Sequence, residues 1–301
     1  MSRTIIVGLD GSPESRAAAE WAAQEAALRG LPLRLVHVWE SVPDALVQAS
    51  RLGAETLRHW SERIPREAAA EIRRRHPGVD VGTKQIPGTA ASVLAEAAQD
   101  AELLVLGSRG LSGVGGFLVG SVGMAVIARA EGPVVLVRAG WQARDEDGAD
   151  RADSASAATT HRPVVLGLDI GRPDDTVIAF AFEEAARRGT TLKAVHGWRI
   201  PAYMLYGLPS DLALDTELRQ QDVAAMAKVL SPWREKYPDV DVVEDFHWGS
   251  PADRVIEAAR DASLVVVGRR IRRSPVGVHI GPVTHAVLHH AVAPVAVVAH
   301  D

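Results

Sequence analysis

The stretch "LLVLGSRGLSGVGGFLVGSVGMAVIARA", Leu103 to Ala130, decides the fold. Four apolar residues, Leu103–Leu106, end at a glycine. Gly107, Gly110, Gly113, Gly115, Gly116, Gly120 and Gly123 follow, and the apolar periodicity then resumes at helical spacing. A buried strand, a glycine loop and a helix start are the parts of an anion cradle. Glycine lets the backbone approach a ligand closely, and unbonded N–H groups at a helix start favour negative charge. A near-copy, "LVVVGRRIRRSPVGVHIGPVTHAVLHHA", runs from Leu264 to Ala291 with most of those glycines replaced.

The copying extends along the whole chain. "IIVGLD" (5–10) matches "VVLGLD" (164–169), and "LRLVHVWE" (33–40) matches "LKAVHGWR" (192–199). "DAELLVLGSRG" (100–110) matches "DASLVVVGRRI" (261–271), and "GPVVLVRAG" (132–140) resembles "APVAVVAHD" (293–301). A repeat this long is a whole domain rather than a solenoid element. The expected organisation is one domain over 1–140, a polar Ala/Ser/Asp-rich flexible linker over 141–162, and a second domain over 163–301.

Inside each copy strand-like and helix-like runs alternate. In the first, Ile5–Leu9, Leu33–Trp39, Val79–Gln85, Leu103–Leu106 and Val134–Val137 read as strands. Pro13–Arg29 reads as a helix, with Ser12 at its N-cap, Pro13 in its first turn and Gly30 past its end. Further helices are expected between Ala45 and His76, over Ala90–Ala98 and over Val122–Ala130. The second copy repeats the series, from Val164–Leu168 through a helix at Thr176–Arg187 to Val295–Val298. Alternation of this kind predicts an α/β fold: two doubly wound domains, each a mostly parallel sheet with helices on both faces. The closing strands are short, apolar and at sheet edges, which invites the two copies to pair.

Composition narrows function. With 301 residues, 47% apolar and 24% charged, the chain has the balance of a globular protein. A net charge of -5 argues against nucleic acid or an anionic membrane as partner. The absence of cysteine excludes disulfides and thiolate metal sites. With no long apolar segment, the expected location is the cytoplasm.

In open α/β sheets ligands bind beyond the carboxyl ends of the strands. The spacing Gly107-Ser-Arg109-Gly110, nine residues, Gly120-Ser121 sits there, and Ser121 can cap the helix or donate to a phosphate. A glycine-rich loop of no binding role is the plainer alternative. No Gly-Lys-Ser/Thr follows, so this is not a Walker loop. Asp10 ends an apolar strand, where an acid serves a ligand or an Asx-type turn through "DGSP".

The motif Gly107-x2-Gly110-x9-Gly120-Ser121, "VGLD" at the first strand, "VHVW" at the second and the closing "PVVLV" together resemble the universal stress protein family. The likeness covers nearly all of the chain, in a tandem arrangement. It implies five-stranded sheets in the order 3-2-1-4-5 and, in the motif-bearing branch, ATP binding, with Mg²⁺ possible beside it. By position, Asp10 would approach the ribose or a phosphate-bound metal, and Val38 would offer backbone groups to adenine. Gly107, Gly110, Gly120, Ser121 and the Val122 N–H would hold the phosphates, with Arg109 inside the same motif. In the second copy Asp169, Gly197, Gly268 and Gly281 occupy the matching positions. Gly110 has become Ile271 and Ser121 has become Pro282, which removes a hydroxyl and an N–H together. Arg269, Arg270, Arg272 and Arg273 could replace those donors or form a solvated face. Whether the second copy holds ATP stays open.

Three functions follow as expectations: an ATP-binding regulatory module acting through an unknown protein partner, a slow ATPase or phosphotransferase, or a dimeric scaffold without nucleotide. No nucleophile–base set favours the enzyme. The pair His285 and His289 lacks a matching carboxylate for a metal. His37 and His196 read as satisfied, half-buried residues. Tyr203 and Tyr206 could cover a ligand or pack in the core.

Overall fold

A computed structural model of the chain describes residues 3–39, 54–108, 119–141, 162–198, 212–271 and 280–301. Arg109, Gly110, Arg272, Arg273, Tyr203, Tyr206 and nearly all of the expected linker lie outside them.

The apolar runs become strands and the Ala-rich runs become helices. The first half is β1 (Ile5–Leu9), α1 (Pro13–Arg29), β2 (Leu33–Trp39), α2 (Ala54–Arg75), β3 (Val81–Pro87), α3 (Ala90–Ala97), β4 (Leu103–Ser108), α4 (Ser121–Arg129) and β5 (Val134–Arg138). The second is β6 (Val164–Gly167), α5 (Asp175–Arg188), β7 (Leu192–Trp198), α6 (Leu212–Lys236), β8 (Val242–Trp248), α7 (Pro251–Ala258), β9 (Leu264–Arg270), α8 (Pro282–His290) and β10 (Val295–His300). Ser12 caps α1 by accepting from the Ser15 N–H, and Gly30 closes it at φ 62°.

The strand order is β3-β2-β1-β4-β5-β10-β9-β6-β7-β8. Each half is therefore a parallel five-stranded sheet in the order 3-2-1-4-5, with helices on both faces. The halves join where β5 and β10 run antiparallel, through Val134↔Val297, Val135↔Ala296 and Leu136↔Val295. The closing strands are edges of each half but lie in the middle of the ten-stranded sheet. The exposed edges are β3 and β8.

Two apolar layers cover the two faces of this sheet. One joins Ile5, Val7 and Trp21 to Leu166, Phe182 and Val298; the other joins Ile6, Leu104 and Val126 to Val165, Val267 and Val287. Both cross from one half to the other.

Charges also cross. Glu25 and Arg29 on α1 face Glu184 and Arg188 on α5, with both glutamates 1% exposed and the arginines 5% and 8%. Arg29 meets Glu25 at 3.0 Å and Glu184 at 2.6 Å, and Arg188 bonds Glu25 in return. Two arginines span the seam as well. Arg138 donates to the Leu288 carbonyl at 3.1 Å, and burial brings its guanidinium down to about 10. Arg269 donates to the Ala128 and Ala130 carbonyls at the end of α4. Arg269 is thus buried in the seam and committed to a helix end, not offered to a phosphate as the sequence allowed.

Candidate functional site

The carboxyl ends of β1, β2 and β4 open into a cavity of about 240 Å³. Asp10, Val38, Gly107, Gly120, Ser121 and Val122 all line it, so six of the eight first-half residues singled out by sequence converge on one space. The other two, Arg109 and Gly110, are outside the described residues.

The roof of the cavity is the start of α4. Gly120 is its N-cap at φ −62° and ψ 151°, with no side chain capping it. The first helical bond closes from the Met124 N–H to the Gly120 carbonyl at 3.1 Å. A helix start leaves its leading N–H groups without intrahelical partners, and those of Ser121, Val122 and Gly123 have no acceptor among the described residues. Ser121 is the first helical residue rather than the cap, and its side chain is exposed. The dipole end of α4 adds partial positive charge at the same place.

The floor is shaped by close packing. A Cβ on Gly107 would come within 2.6 Å of the Glu14 carbonyl carbon and 2.7 Å of the Ser15 nitrogen. Gly107 is therefore required for α1 to lie against β4, whatever else it does. Asp10 builds the turn into α1: its Oδ1 accepts from the Ser12 N–H at 3.0 Å and from the Ser12 hydroxyl at 2.5 Å. The turn-forming reading of Asp10 is thus realised, and the residue still borders the cavity. His37 donates through Nδ1 to the Leu9 carbonyl at 2.8 Å, and His196 does the same to Leu168 at 2.9 Å. Both are satisfied histidines, as their place at strand ends suggested.

An adenine nucleotide fits these groups in kind. There is an apolar wall of Val36, Val38 and Leu94 for a base and a bare helix start for phosphate. Asp10 and Glu14 are the charged lining groups among the described residues. Among those residues no cluster of three His, Cys, Asp or Glu could hold a metal by itself.

In the second half Asp169, Gly197, Gly268 and Gly281 line one cavity of about 490 Å³. Val38 is replaced by Gly197 for a reason the motif does not carry. A Cβ there would lie 2.3 Å from the Cα of Pro251, which takes the place of Ala90. Ser12, read from sequence as a helix cap alone, also lines the first cavity, and sequence reasoning passed over Ser15 there and Arg172, His300 and Thr284 in the second. None belongs to a spaced motif, so only the fold reveals them.

A sequence profile described as the Universal stress protein family matches residues 1–138 and 160–299. The chain belongs to the universal stress protein family. Universal stress proteins of Mycobacterium tuberculosis and Mycolicibacterium smegmatis are each 33% identical to it; the alignments cover 97% and 98% of this chain and 96% of each relative. The crystal structure of a universal stress protein from Archaeoglobus fulgidus superposes with a TM-score of 0.68 over 100% of both chains, at 16% identity, a likeness of fold. The tandem α/β architecture is therefore shared with the family. Among the described residues no helix is long and apolar enough to cross a membrane.

Proposed function

We propose that the first half of this universal stress protein binds ATP and that the chain works as a regulatory module in the cytoplasm. One observation carries this: the Gly120-Ser121 start of α4 stands uncapped over a cavity bordered by Asp10, Val38 and Gly107. Residues 1–140 and 163–301 act as the two domains, with 141–162 connecting them. Val38 offers backbone groups to adenine, and Asp10 meets the ribose or a phosphate-bound Mg²⁺. Gly107, Gly110, Gly120, Ser121 and Val122 hold the phosphates, with Arg109 on the same loop.

No general base is poised in the described lining. Asp10 already accepts from Ser12, which leaves Glu14 as the other carboxylate. Hydrolysis is accordingly slower than about 1 s⁻¹, the lower end of ordinary enzyme turnover. The output is a contact with a protein partner or a second copy.

Mass spectrometry of the ligand released from denatured protein tests the reading, and adenine nucleotide is expected. Calorimetry should show Ser121→Ala weakening ATP roughly ten- to a hundredfold, the worth of about one hydrogen bond to a charged group. Recovery of no nucleotide together with no ATP binding would leave the scaffold reading. Turnover well above the stated bound would favour an ATPase or phosphotransferase.

A further inference from the structure

The second cavity is about twice the volume of the first, about 490 against 240 Å³, and its rim is chemically different. The difference starts in α5. Arg29 and Arg188 end the paired helices, but α1 has 17 residues and α5 has 14, so α5 lacks its first turn. In the first half that turn lies against Gly107. In the second, the matching Gly268 faces the ring of His300, whose Nε2 would be 2.9 Å from a Cβ there. The ring sits between two acceptors, with His300 Nδ1 3.1 Å from the Asp301 carbonyl and 3.3 Å from Asp174 Oδ2. The residues freed from the helix form a loop, and Arg172 of that loop lines the cavity.

A second change comes from β9. The Ile271 N–H donates to the His300 carbonyl at 2.6 Å, so the β9–β10 ladder continues past Arg270, which pairs with His300 in register. This sets Arg270 on the cavity wall. The third change is Pro282, the first residue of α8, which withholds one N–H from any ligand.

The charges at this rim are unequally satisfied. Asp169 Oδ1 accepts from the Gly171 N–H at 3.1 Å. Asp174 Oδ1 accepts from the Thr176 and Val177 N–H groups at 2.9 and 3.4 Å, and its Oδ2 faces His300. The guanidinium groups of Arg172 and Arg270 have no hydrogen bond or ion pair with any described residue. Each presents a planar fork that matches an oxyanion. We propose that the second cavity is a metal-independent site for a small multiply charged oxyanion, a phosphate monoester or a di- or tricarboxylate, clamped between Arg172 and Arg270. The site does not depend on ATP binding in the first half.

The test is calorimetric titration of the full-length protein in EDTA with inorganic phosphate, glycerol 3-phosphate and citrate. Saturable binding of at least one is expected. The Arg172→Gln/Arg270→Gln double variant should weaken it roughly tenfold or more, since two charge-assisted forks are lost. Each single variant should weaken it by less. Ser121→Ala should leave it unchanged, and the arginine variants should keep their ATP affinity. Tighter binding of glycerol 3-phosphate than citrate identifies the ligand as a phosphate monoester, and the reverse order as a carboxylate. The proposal is overturned by the absence of saturable binding up to about 10 mM, or by equal affinity in the double variant. Loss in Ser121→Ala with the double variant intact also overturns it, because the anion then sits in the first cavity. Absence of ATP binding with anion binding intact would sink only the first-half reading.

Discussion

Single glycines in this protein answer to different causes, and mutation separates them. A Cβ at Gly197 would stand 2.3 Å from the Pro251 Cα and 2.7 Å from its nitrogen, both backbone atoms that cannot turn aside. At Gly281 the same Cβ would meet nothing within 4 Å among the described residues, and φ is −59°, open to any residue. Gly197→Ala is therefore expected to cost about 1–3 kcal/mol or more from overpacking. Gly281→Ala is expected to cost under about 1 kcal/mol as a change of N-cap. Urea unfolding of both variants checks the contrast, and equal losses would contradict it. The sequence displayed the Gly107 and Gly120 spacing plainly, but the reason for Gly107 resides in α1, which the motif does not include. Arg269 shows the opposite failure. Its arginine-rich surroundings suggested a phosphate grip, whereas the strand carries its side chain under the end of α4.

At the scale of elements, pattern reading located every described strand and α-helix, with described ends shifted by up to three residues; the start expected at Ala45 lies outside the described residues. Strand ends moved most because continued pairing, not apolarity, sets them: β9 runs on through Gly268, Arg269 and Arg270 along β10. The start of α5 depends on Asp174, which caps two N–H groups and meets His300. Asp174→Ala should cost about 0.5–2 kcal/mol, the range for a lost N-cap, and Asp174→Asn less. Thermal unfolding of the pair measures this, and identical losses would put the cap hydrogen bond in doubt. On α8 the rings of His285 and His289 lie 4.4 Å apart. Burial, then the charges of His289 and His290, hold His285 below its ordinary 6.5. The unfolded chain then binds more protons than the native one between that lowered value and 6.5. Stability from this group falls as pH drops through the window. Proton NMR should find the His285 midpoint below 6.5, moving upward in His289→Gln; an unmoved midpoint would mean the rings do not share charge.

For the whole molecule, the duplication and the pairing of its closing strands were readable, but the charged seam beside them was not. Apolar closing strands suggested that the halves pair, and β5 with β10 does so over three register pairs. Glu25 with Arg29 and Glu184 with Arg188 have the i,i+4 spacing of ordinary surface pairs. Nothing in that spacing reveals that the four meet each other out of water across a pseudo-two-fold seam. Burial changes their energetics, because removing one member strands charge in the interior. Arg188→Ala should therefore cost about 3–5 kcal/mol, far above the 1 kcal/mol or less of an exposed pair. Glu25→Ala should cost a similar amount alone but much less in the Arg188→Ala background, since its cross-seam partner is already absent. A double-mutant cycle by urea unfolding should give a coupling of about 1–3 kcal/mol. Calorimetry provides a second reading. The wild-type halves share a sheet, two apolar layers and this quartet, so they should melt together. The Glu25→Ala/Glu184→Ala variant keeps the sheet but loses both cross-seam ion pairs, and its transition should broaden or divide as the halves uncouple. Additive losses with one unchanged sharp transition would mean that the strand pairing alone unites the halves.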